Sequence, residues 1–346
     1  MSDILKQYVC IVPFQYLEIH HMGVYGCCPE WLPTKLSDVK DLSTVWKSDT
    51  LKDVQNSILD GTYSHCSTKH CPVLNQLVYD GIINKEYFKT HNEFKNVNYK
   101  NPKLINYAFD RSCNLSCPSC RSEKIMASSK EIDEIEWTIK EIEDIYGETL
   151  HGLYLSGTAD PFASKSFRNL LINFDKKKYP KVHNIQLHTN AILFNKEMWD
   201  SMKNVQPYIK TVEISIDAAT KDTYEIVRRG GNWETLISNL QFISSLNLFD
   251  LRVSMVVQDT NYMEMFDFYK MMTDIFNNKV TVYFKKITNW GTYSDSDFSL
   301  KEIYNPKHPE FNLFLLQLDK INKKNNCIHN FNDIANEYIP TKIKFI

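Results

Sequence analysis

Short apolar runs alternate with amphipathic stretches between about Lys103 and Lys286. The runs have the length expected of buried strands. Six strands are predicted: Leu104–Phe109, Leu150–Leu155, Asn184–His188, Thr211–Ile216, Leu251–Val257 and Val280–Phe284. Apolar residues at steps of three and four predict amphipathic helices between them. The clearest three lie at Ile132–Tyr146, Trp233–Leu246 and Met263–Ile275.

Strands that alternate with helices indicate parallel pairing through right-handed crossovers. The predicted fold class is therefore α/β, and this number of units suits either a partial barrel or a doubly wound sheet. In both architectures the chemistry gathers at the carboxyl ends of the strands. The motifs described below all lie at or just beyond such ends.

Charge and hydropathy limit the possible partners. The 346 residues contain 40 basic and 42 acidic side chains spread along the chain, for a net charge of −2. This balance argues against a surface for nucleic acid or anionic membrane. No apolar run approaches the roughly 18–20 residues of a membrane span, and Met1–Ile11 lacks the features of a signal peptide. We expect a cytoplasmic protein with no nucleic-acid or membrane partner.

The nine cysteines are unevenly distributed along the chain, and this distribution indicates candidate metal ligands. Eight of them fall into two groups: Cys10, Cys27, Cys28, Cys66 and Cys71, and then Cys113, Cys117 and Cys120. Cys327 stands alone. In a reducing compartment, grouped cysteines are metal ligands or catalytic groups more often than disulfides.

The second group forms a C-x3-C-x2-C loop directly after the first predicted strand. Thiolates select iron–sulfur clusters or zinc. A structural zinc site needs four ligands, and no fourth Cys or His lies near this loop. Three thiolates leave one metal corner open, which is typical of a catalytic site. The spacing therefore favours an iron–sulfur site over zinc.

This loop resembles that of the radical SAM enzymes, where the same spacing follows the first strand of a partial (β/α)6 TIM-like barrel. The resemblance implies that Cys113, Cys117 and Cys120 bind three irons of a [4Fe–4S] cluster and that S-adenosylmethionine (SAM) binds the fourth. It also implies reductive cleavage of SAM to a 5′-deoxyadenosyl radical, with electrons from a flavodoxin- or ferredoxin-type donor. Ser119 replaces the aromatic residue that is common before the third cysteine.

The later strand ends extend the resemblance over residues 103–291. Ser156–Pro161 is a degenerate form of the family's Gly-Gly-Glu-Pro turn. The resemblance implies SAM contacts at these positions: Ser156, Gly157, Thr158, Asp160, Thr189, Asn190, Ser215, Asp217, Arg228 and Val257, with Arg229 as the alternative to Arg228. The alternative to SAM contacts for Asp160 and Asp217 is that each caps a helix. The alternative for Arg228 and Arg229 is that both are solvated on the surface.

The N-terminal cysteines are similar to a SPASM extension, an auxiliary iron–sulfur module that normally follows the barrel and here precedes it. The resemblance implies a second [4Fe–4S] cluster bound by Cys10, Cys66, Cys71 and one of the adjacent pair, with Cys28 preferred to Cys27. A four-cysteine zinc site is the alternative. The predicted divisions are residues 1–100 for this module, 101–292 for the core and 293–346 for a C-terminal extension that covers the substrate site.

The resemblance supplies hydrogen abstraction and leaves the outcome open. Epimerisation and dehydrogenation are both compatible with an auxiliary cluster. Cys327 is the candidate hydrogen-atom donor for epimerisation, although an ordinary free cysteine is the simpler reading. A small-molecule or sugar substrate is narrowly preferred to a ribosomal peptide. A non-catalytic iron–sulfur or zinc scaffold is the hypothesis from a different class.

Overall fold

The computed structural model describes residues 3–95 and 100–339 and divides them into two compact units. The first unit comprises the chain up to Cys113, together with Ile125–Thr189 and Glu197–Val212. The second comprises Asn114–Lys124, Asn190–Lys196 and the chain from Glu213 onward. Both units are therefore built from segments that are distant in sequence.

The described residues contain twelve strands and thirteen α-helices. The strands are β1 Tyr8–Cys10, β2 Tyr16–His20, β3 Gly23–Tyr25, β4 Lys35–Ser37, β5 Phe88–Thr90, β6 Leu104–Ala108, β7 Gly152–Leu155, β8 Asn184–Thr189, β9 Ile209–Ser215, β10 Asp250–Val257, β11 Thr281–Lys286 and β12 Cys327–His329. The helices are α1 Leu42–Val45, α2 Asp49–Leu59, α3 Pro72–Asp80, α4 His91–Phe94, α5 Ser129–Tyr146, α6 Lys165–Ile172, α7 Lys196–Ser201, α8 Lys221–Val227, α9 Trp233–Ser244, α10 Met265–Ile275, α11 Asp295–Lys301, α12 Phe311–Ile321 and α13 Asn332–Tyr338.

The sheet of the first unit is parallel from β8 through β7 and β6 to β2, and then continues through the antiparallel strands β3 and β4. β1 and β5 form a separate antiparallel pair. The N-terminal region thus adds β2 beside the first predicted strand. The register places Glu18 opposite Asn106.

The two faces of this sheet differ in polarity because side chains alternate along each strand. One face carries buried apolar residues such as Ile105 and Leu153, and Tyr107 on this face packs against Phe167 of α6. The other face carries a row of polar side chains in register across four strands: Glu18, Asn106, Tyr154 and Gln186. We call this row the polar face of the first unit.

The second unit repeats the parallel arrangement, with β10 beside β11 and β11 beside β12. Aromatic side chains form much of its core. Phe268 of α10 contacts Phe284 of β11, and Phe314 of α12 contacts Phe331. Apolar and polar residues alternate along most of β10 and β11, so most of their polar side chains lie on one face of the sheet.

All six strands predicted from the sequence are confirmed as β6 to β11, with their ends shifted by at most two residues. The three predicted helices are confirmed as α5, α9 and α10. α5 starts at a capping box, in which Ser128 and Glu131 satisfy each other's backbone N–H groups. The α/β order and the parallel sheets fit the predicted partial barrel.

The division into residues 1–100, 101–292 and 293–346 stays a prediction, and residues 340–346 lie outside the described part of the chain. Within the described ranges, no helix combines the length and the apolar character that a membrane crossing requires.

Candidate active site

The cysteine loop is ordered by backbone hydrogen bonds. The N–H groups of Cys120 and Arg121 both donate to the carbonyl oxygen of Cys117 at 2.9 Å, which turns the chain tightly between the last two cysteines. Cys113 belongs to the first unit, where its N–H donates to the carbonyl of Ile125 at 2.9 Å. None of the three cysteines forms a disulfide, and Cys117 is buried.

Arg229 anchors the loop within the second unit. Its Nε donates to the Ser116 hydroxyl at 3.1 Å and its Nη2 to the Ser122 carbonyl at 2.6 Å. In return, the Ser116 N–H donates to the Arg229 carbonyl at 3.0 Å. One arginine therefore fixes both sides of the segment that carries Cys117 and Cys120. This is a role for Arg229 other than binding SAM.

Arg228 points in a different direction and is buried beside Cys117. Its Nη2 pairs with Asp217 Oδ2 at 2.7 Å, and its Nη1 lies 3.8 Å from the Cys117 sulfur. Asp217 also accepts the Val256 N–H at 2.7 Å. Burial raises the pKa of the Cys117 thiol, and the Arg228 guanidinium acts in the opposite direction. Neither arginine is simply solvated.

Two donors in this cluster have no acceptor. Arg228 Nε and Tyr224 Oη are both buried and make no hydrogen bond. Buried donors are normally satisfied, so their orientation beside Cys117 fits a site for an anionic group such as a carboxylate. Gly231 is required here, because a Cβ on it would lie 2.7 Å from Tyr224 Oη. Tyr224 was not predicted from the sequence, where its position in α8, one turn before Arg228, was the only signal.

The turn after β7 lies in the first unit and is held by its own side chains. Asp160 accepts the N–H groups of Phe162 and Ala163 through Oδ1, and its Oδ2 accepts the Thr189 hydroxyl at 2.7 Å. The Thr158 hydroxyl lies 2.8 Å from the carbonyl oxygens of both Ala108 and Asp110. Asp160 thus closes the turn, whereas the residue that caps α6 is Ser164, whose side chain accepts the Phe167 N–H. Thr189 joins Asp160 in the same cluster.

Ser156 and Gly157 start this turn. Ser156 has a left-handed φ of 87°, and its hydroxyl accepts the Ala159 N–H at 3.0 Å. The space beside Gly157 is open, because a Cβ there would meet a single atom within 4 Å, Nδ2 of Asn106 at 3.9 Å. Asn106, which lies on β6, was not predicted from the sequence as a site residue.

The remaining predicted residues lie in the second unit. Asn190 Nδ2 donates to Asn114 Oδ1 at 2.9 Å, which ties the segment after β8 to the residue following Cys113. Ser215 and Ser254 bring their hydroxyl oxygens within 3.3 Å of each other. The Val257 side chain is fully buried at the end of β10, so only its backbone can contact a ligand.

Four N-terminal cysteines line one cavity of the first unit: Cys10, Cys27, Cys66 and Cys71. Aromatic and aliphatic side chains, including Trp31 and Tyr63, form the rest of the wall. Tyr63 Oη accepts the Cys10 N–H at 3.1 Å and donates to the Tyr8 carbonyl at 2.7 Å. Burial raises the pKa of Cys10 to about 11 and that of Cys66 to about 12, so an electropositive metal would be needed to hold them as thiolates.

Cys28, the residue preferred from the sequence, is not among the residues that line this cavity. Its carbonyl instead accepts the N–H groups of Trp31 and Leu32, and its thiol lies in the electrostatic environment of Glu18 and Glu30. Adjacent residues in an extended loop point in opposite directions, and here Cys27 is the one directed into the cavity. The lining of the cavity therefore favours Cys27 over Cys28 as the candidate ligand.

Cys327 occupies the first position of β12, opposite Val282 near the start of β11. In parallel strands, residues in register share a face, and Val282 belongs to the buried apolar face. Cys327 lies in the electrostatic environment of Tyr269 on α10. It is thus near the amino end of the second unit's strands, whereas Asp217 and Arg228 follow the carboxyl end of β9. The role of Cys327 as hydrogen-atom donor stays a prediction, and its place at the amino end of β12 argues against it.

Among the described residues, no three Cys, His, Asp or Glu side chains are close enough to hold a single metal ion. A [4Fe–4S] cluster is a different case, because each thiolate binds a different iron of the cubane.

Residues 107–272 match the model of the Radical SAM superfamily. Two curated proteins are similar to part of the chain. The GTP 3',8-cyclase of Alkaliphilus metalliredigens is 27% identical over 149 residues, which cover 42% of this chain and 44% of the cyclase. The mycofactocin maturase MftC of Mycobacterium ulcerans is 24% identical over 172 residues, which cover 48% of this chain and 43% of the maturase. The matches span less than half the length of either relative.

Solved structures of Streptococcus suis SuiB are also similar to the chain. SuiB bound to S-adenosylmethionine aligns with a TM-score of 0.42 at 15% identity, covering 82% of this chain and 58% of SuiB. SuiB bound to its precursor peptide SuiA aligns with a TM-score of 0.41 at 15% identity, covering 86% and 57%.

Proposed function

Because residues 107–272 match the model of the Radical SAM superfamily, we propose that this chain is a radical SAM enzyme acting on a small molecule or a sugar. The observation that carries the proposal is the C-x3-C-x2-C loop within the matched residues, together with the two unsatisfied donors beside Cys117. A [4Fe–4S] cluster held by the three cysteines, once reduced by an external electron donor, would supply the electron for cleavage of SAM to methionine and a 5′-deoxyadenosyl radical, and that radical would abstract a substrate hydrogen atom.

Three roles in binding the cluster and SAM are proposed for these residues: cluster ligand, donor to the SAM carboxylate, and positioning residue. Cys113, Cys117 and Cys120 are the proposed cluster ligands. Arg228 Nε and Tyr224 Oη donate to the carboxylate of SAM, since a guanidinium and a phenol are both donors suited to an anion. Asp217 holds the Arg228 guanidinium in place through the 2.7 Å ion pair, so Asp217 is a positioning residue.

The residues of the first unit provide polar backbone and hydroxyl groups. Ser156, Gly157 and Thr158 form the turn proposed to contact the SAM amino group, and the Asp160–Thr189 hydrogen bond fixes its shape. Asn190, Ser215 and the backbone of Val257 are proposed as further SAM contacts in the second unit. We also propose that an electron donor of the flavodoxin or ferredoxin type reduces the cluster.

We also propose an auxiliary [4Fe–4S] cluster in the N-terminal cavity, with Cys10, Cys27, Cys66 and Cys71 as ligands. The support is the convergence of four free thiols on one cavity. With a second cluster as electron acceptor, dehydrogenation is favoured over epimerisation, because Cys327 lies away from the strand ends that carry the site. A peptide substrate is the second candidate, since a similar curated protein is named a maturase.

The test is anaerobic reconstitution with iron and sulfide, followed by metal counting and an assay for 5′-deoxyadenosine with dithionite. Two [4Fe–4S] clusters correspond to about eight irons per chain. We expect Cys117→Ala to abolish SAM cleavage and Cys27→Ala to lose about four irons. Cys28→Ala is the matched control for Cys27→Ala and should keep its iron.

Three results would contradict these assignments. Tightly bound zinc in place of iron would favour the scaffold hypothesis. A reconstituted protein that binds SAM and does not cleave it would refute the enzyme. Loss of iron from Cys28→Ala with full iron in Cys27→Ala would reverse the choice of ligand.

A further inference from the structure

Glu18 is a buried carboxyl group on the polar face of the first unit. Its side chain is 6% exposed, and its Oε2 accepts hydrogen bonds from Tyr16 Oη at 2.8 Å and Asn106 Nδ2 at 3.2 Å. No lysine, arginine or histidine of the described ranges forms an ion pair with it. Burial raises the pKa of Glu18 to about 7, and both hydrogen bonds act in the opposite direction. A buried carboxylate without a counterion is costly.

Asn106 supplies a second acceptor beside Glu18. A carboxylate only accepts hydrogen bonds, so the amide must direct its Nδ2 toward Glu18. The other amide atom, Oδ1, is buried and has no partner, in a residue that is only 8% exposed. Such unsatisfied acceptors are rare in native structures. The open space beside Gly157 adjoins this same side chain.

Two aromatic rings complete the cluster. Tyr16 lies on the same face as Glu18, and Tyr154 lies opposite Asn106 on β7. Their ring centroids are 6.0 Å apart. Tyrosine faces attract cations. The cluster therefore combines a carboxylate, an unsatisfied carbonyl oxygen and two tyrosines.

We propose that Glu18 and Asn106 bind the ammonium group of a low-molecular-mass substrate. A primary ammonium has three N–H donors and a positive charge, so it supplies the donor that Asn106 Oδ1 lacks and the counter-charge that Glu18 lacks. A hydroxyl would satisfy an acceptor and leave the carboxylate charge uncompensated. This inference rests on the proposed function, because it assigns the polar face to substrate.

The experiment is calorimetric titration of the reconstituted full-length protein with ethylammonium, and with ethanol as its uncharged counterpart, in the absence of reductant. We expect wild type to bind ethylammonium at least tenfold more tightly than ethanol, a difference of about 1.4 kcal/mol. Glu18→Gln should reduce ethylammonium affinity at least tenfold. Glu143→Gln is the matched control, since Glu143 also accepts a tyrosine hydroxyl but already pairs with Lys178 at 2.7 Å.

Equal binding of ethylammonium and ethanol by wild type would overturn the proposal, whether or not the variants fold. So would unchanged affinity in Glu18→Gln, or no saturable ethylammonium binding below about 100 mM. The amino group of SAM is the other source of the same chemistry, so the titration is repeated with saturating SAM. Persistence of ethylammonium binding supports a substrate site, and its displacement assigns the cluster to SAM and overturns the proposal.

SAM cleavage is measured in parallel samples with dithionite. Cleavage by a wild type that shows no ammonium selectivity would refute the amine site and leave the proposed enzyme standing. Ammonium selectivity without cleavage would refute the enzyme.

Discussion

Replacing Arg228 tests the buried ion pair on which the proposed SAM site depends. The Arg228 side chain is 12% exposed and its partner Asp217 is 2% exposed. In Arg228→Met, the Asp217 carboxylate stays buried and keeps only the Val256 N–H as a strong donor. Removing one partner of a buried pair costs about 3–5 kcal/mol, because an uncompensated charge remains. We expect the free energy of unfolding to fall by that amount.

A double-mutant cycle separates the pair from the loss of packing. Asp217→Asn removes the other charge, and the double variant Arg228→Met/Asp217→Asn leaves no buried charge from this pair. The double variant should therefore be markedly more stable than the sum of the single losses implies, with a coupling energy of about 2–3 kcal/mol. Arg228→Lys keeps the charge and loses the planar fork, so it should fall between wild type and Arg228→Met.

The measurement is urea unfolding of all variants, anaerobic and without metal, with equal slopes required for comparison. Lys221–Glu234 is the matched control pair. It has the same 2.7 Å separation in the same unit, but both side chains are exposed, at 49% and 62%. Its cycle should show no resolvable coupling. If the cycle at Arg228 and Asp217 is equally flat, the site is solvated and the argument for a preorganised anion site fails.

Three further changes have clear expected outcomes. Arg229→Ala should free the cysteine segment and speed iron loss from the reconstituted protein, with Arg229→Lys intermediate; an unchanged rate of iron release would show that the anchor has no effect. Gly231→Ala should cost about 1–3 kcal/mol through its clash with Tyr224, and an unaltered Tm would contradict that. Burial lowers the pKa of His329 from 6.5 to about 4. The unfolded chain therefore binds a proton first as pH falls from 6.5 to 4, which removes up to about 3 kcal/mol of stability. Urea titrations at pH 7 and pH 4 should show a smaller loss in His329→Gln, and equal losses would refute the assignment.

The sequence predicts the central strands well because they are buried on at least one face and bounded by polar turns. β6 and β10, for example, carry mostly apolar residues, and the polar residues Asp110 and Gln258 follow their ends. The cysteine loop is equally visible, since its spacing alone limits the metal chemistry. Local pattern was enough for both.

Features that depend on side-chain direction were beyond the sequence. Cys27 and Cys28 are adjacent, and only the backbone of the loop decides which thiol enters the cavity. The contact between Glu18 and Asn106 joins positions 88 residues apart and depends on the β2–β6 register. Cys327 looked suitable for chemistry by residue type. Its register opposite Val282 puts it near the amino end of a strand, which no periodicity could reveal.

Backbone strain occurs just after strands of both units. Three non-glycine residues that follow consecutive strands have left-handed φ values: Ser156 at 87°, Ala191 at 64° and Asp217 at 66°. Each such conformation costs about 1–3 kcal/mol and persists only where its surroundings fix it.

Local hydrogen bonds supply that constraint. The Ser156 hydroxyl bonds within its own turn, Asn239 Nδ2 donates to the Ala191 carbonyl at 2.8 Å, and Asn261 Nδ2 donates to the Asp217 carbonyl at 2.8 Å. Each strained residue after β7, β8 and β9 is therefore held by a local hydrogen bond, which fixes the direction in which the chain leaves the sheet. Stability alone would favour glycine at each position. The same strand ends carry the proposed SAM contacts, so a fixed direction of the chain at these points is what the proposed binding geometry requires.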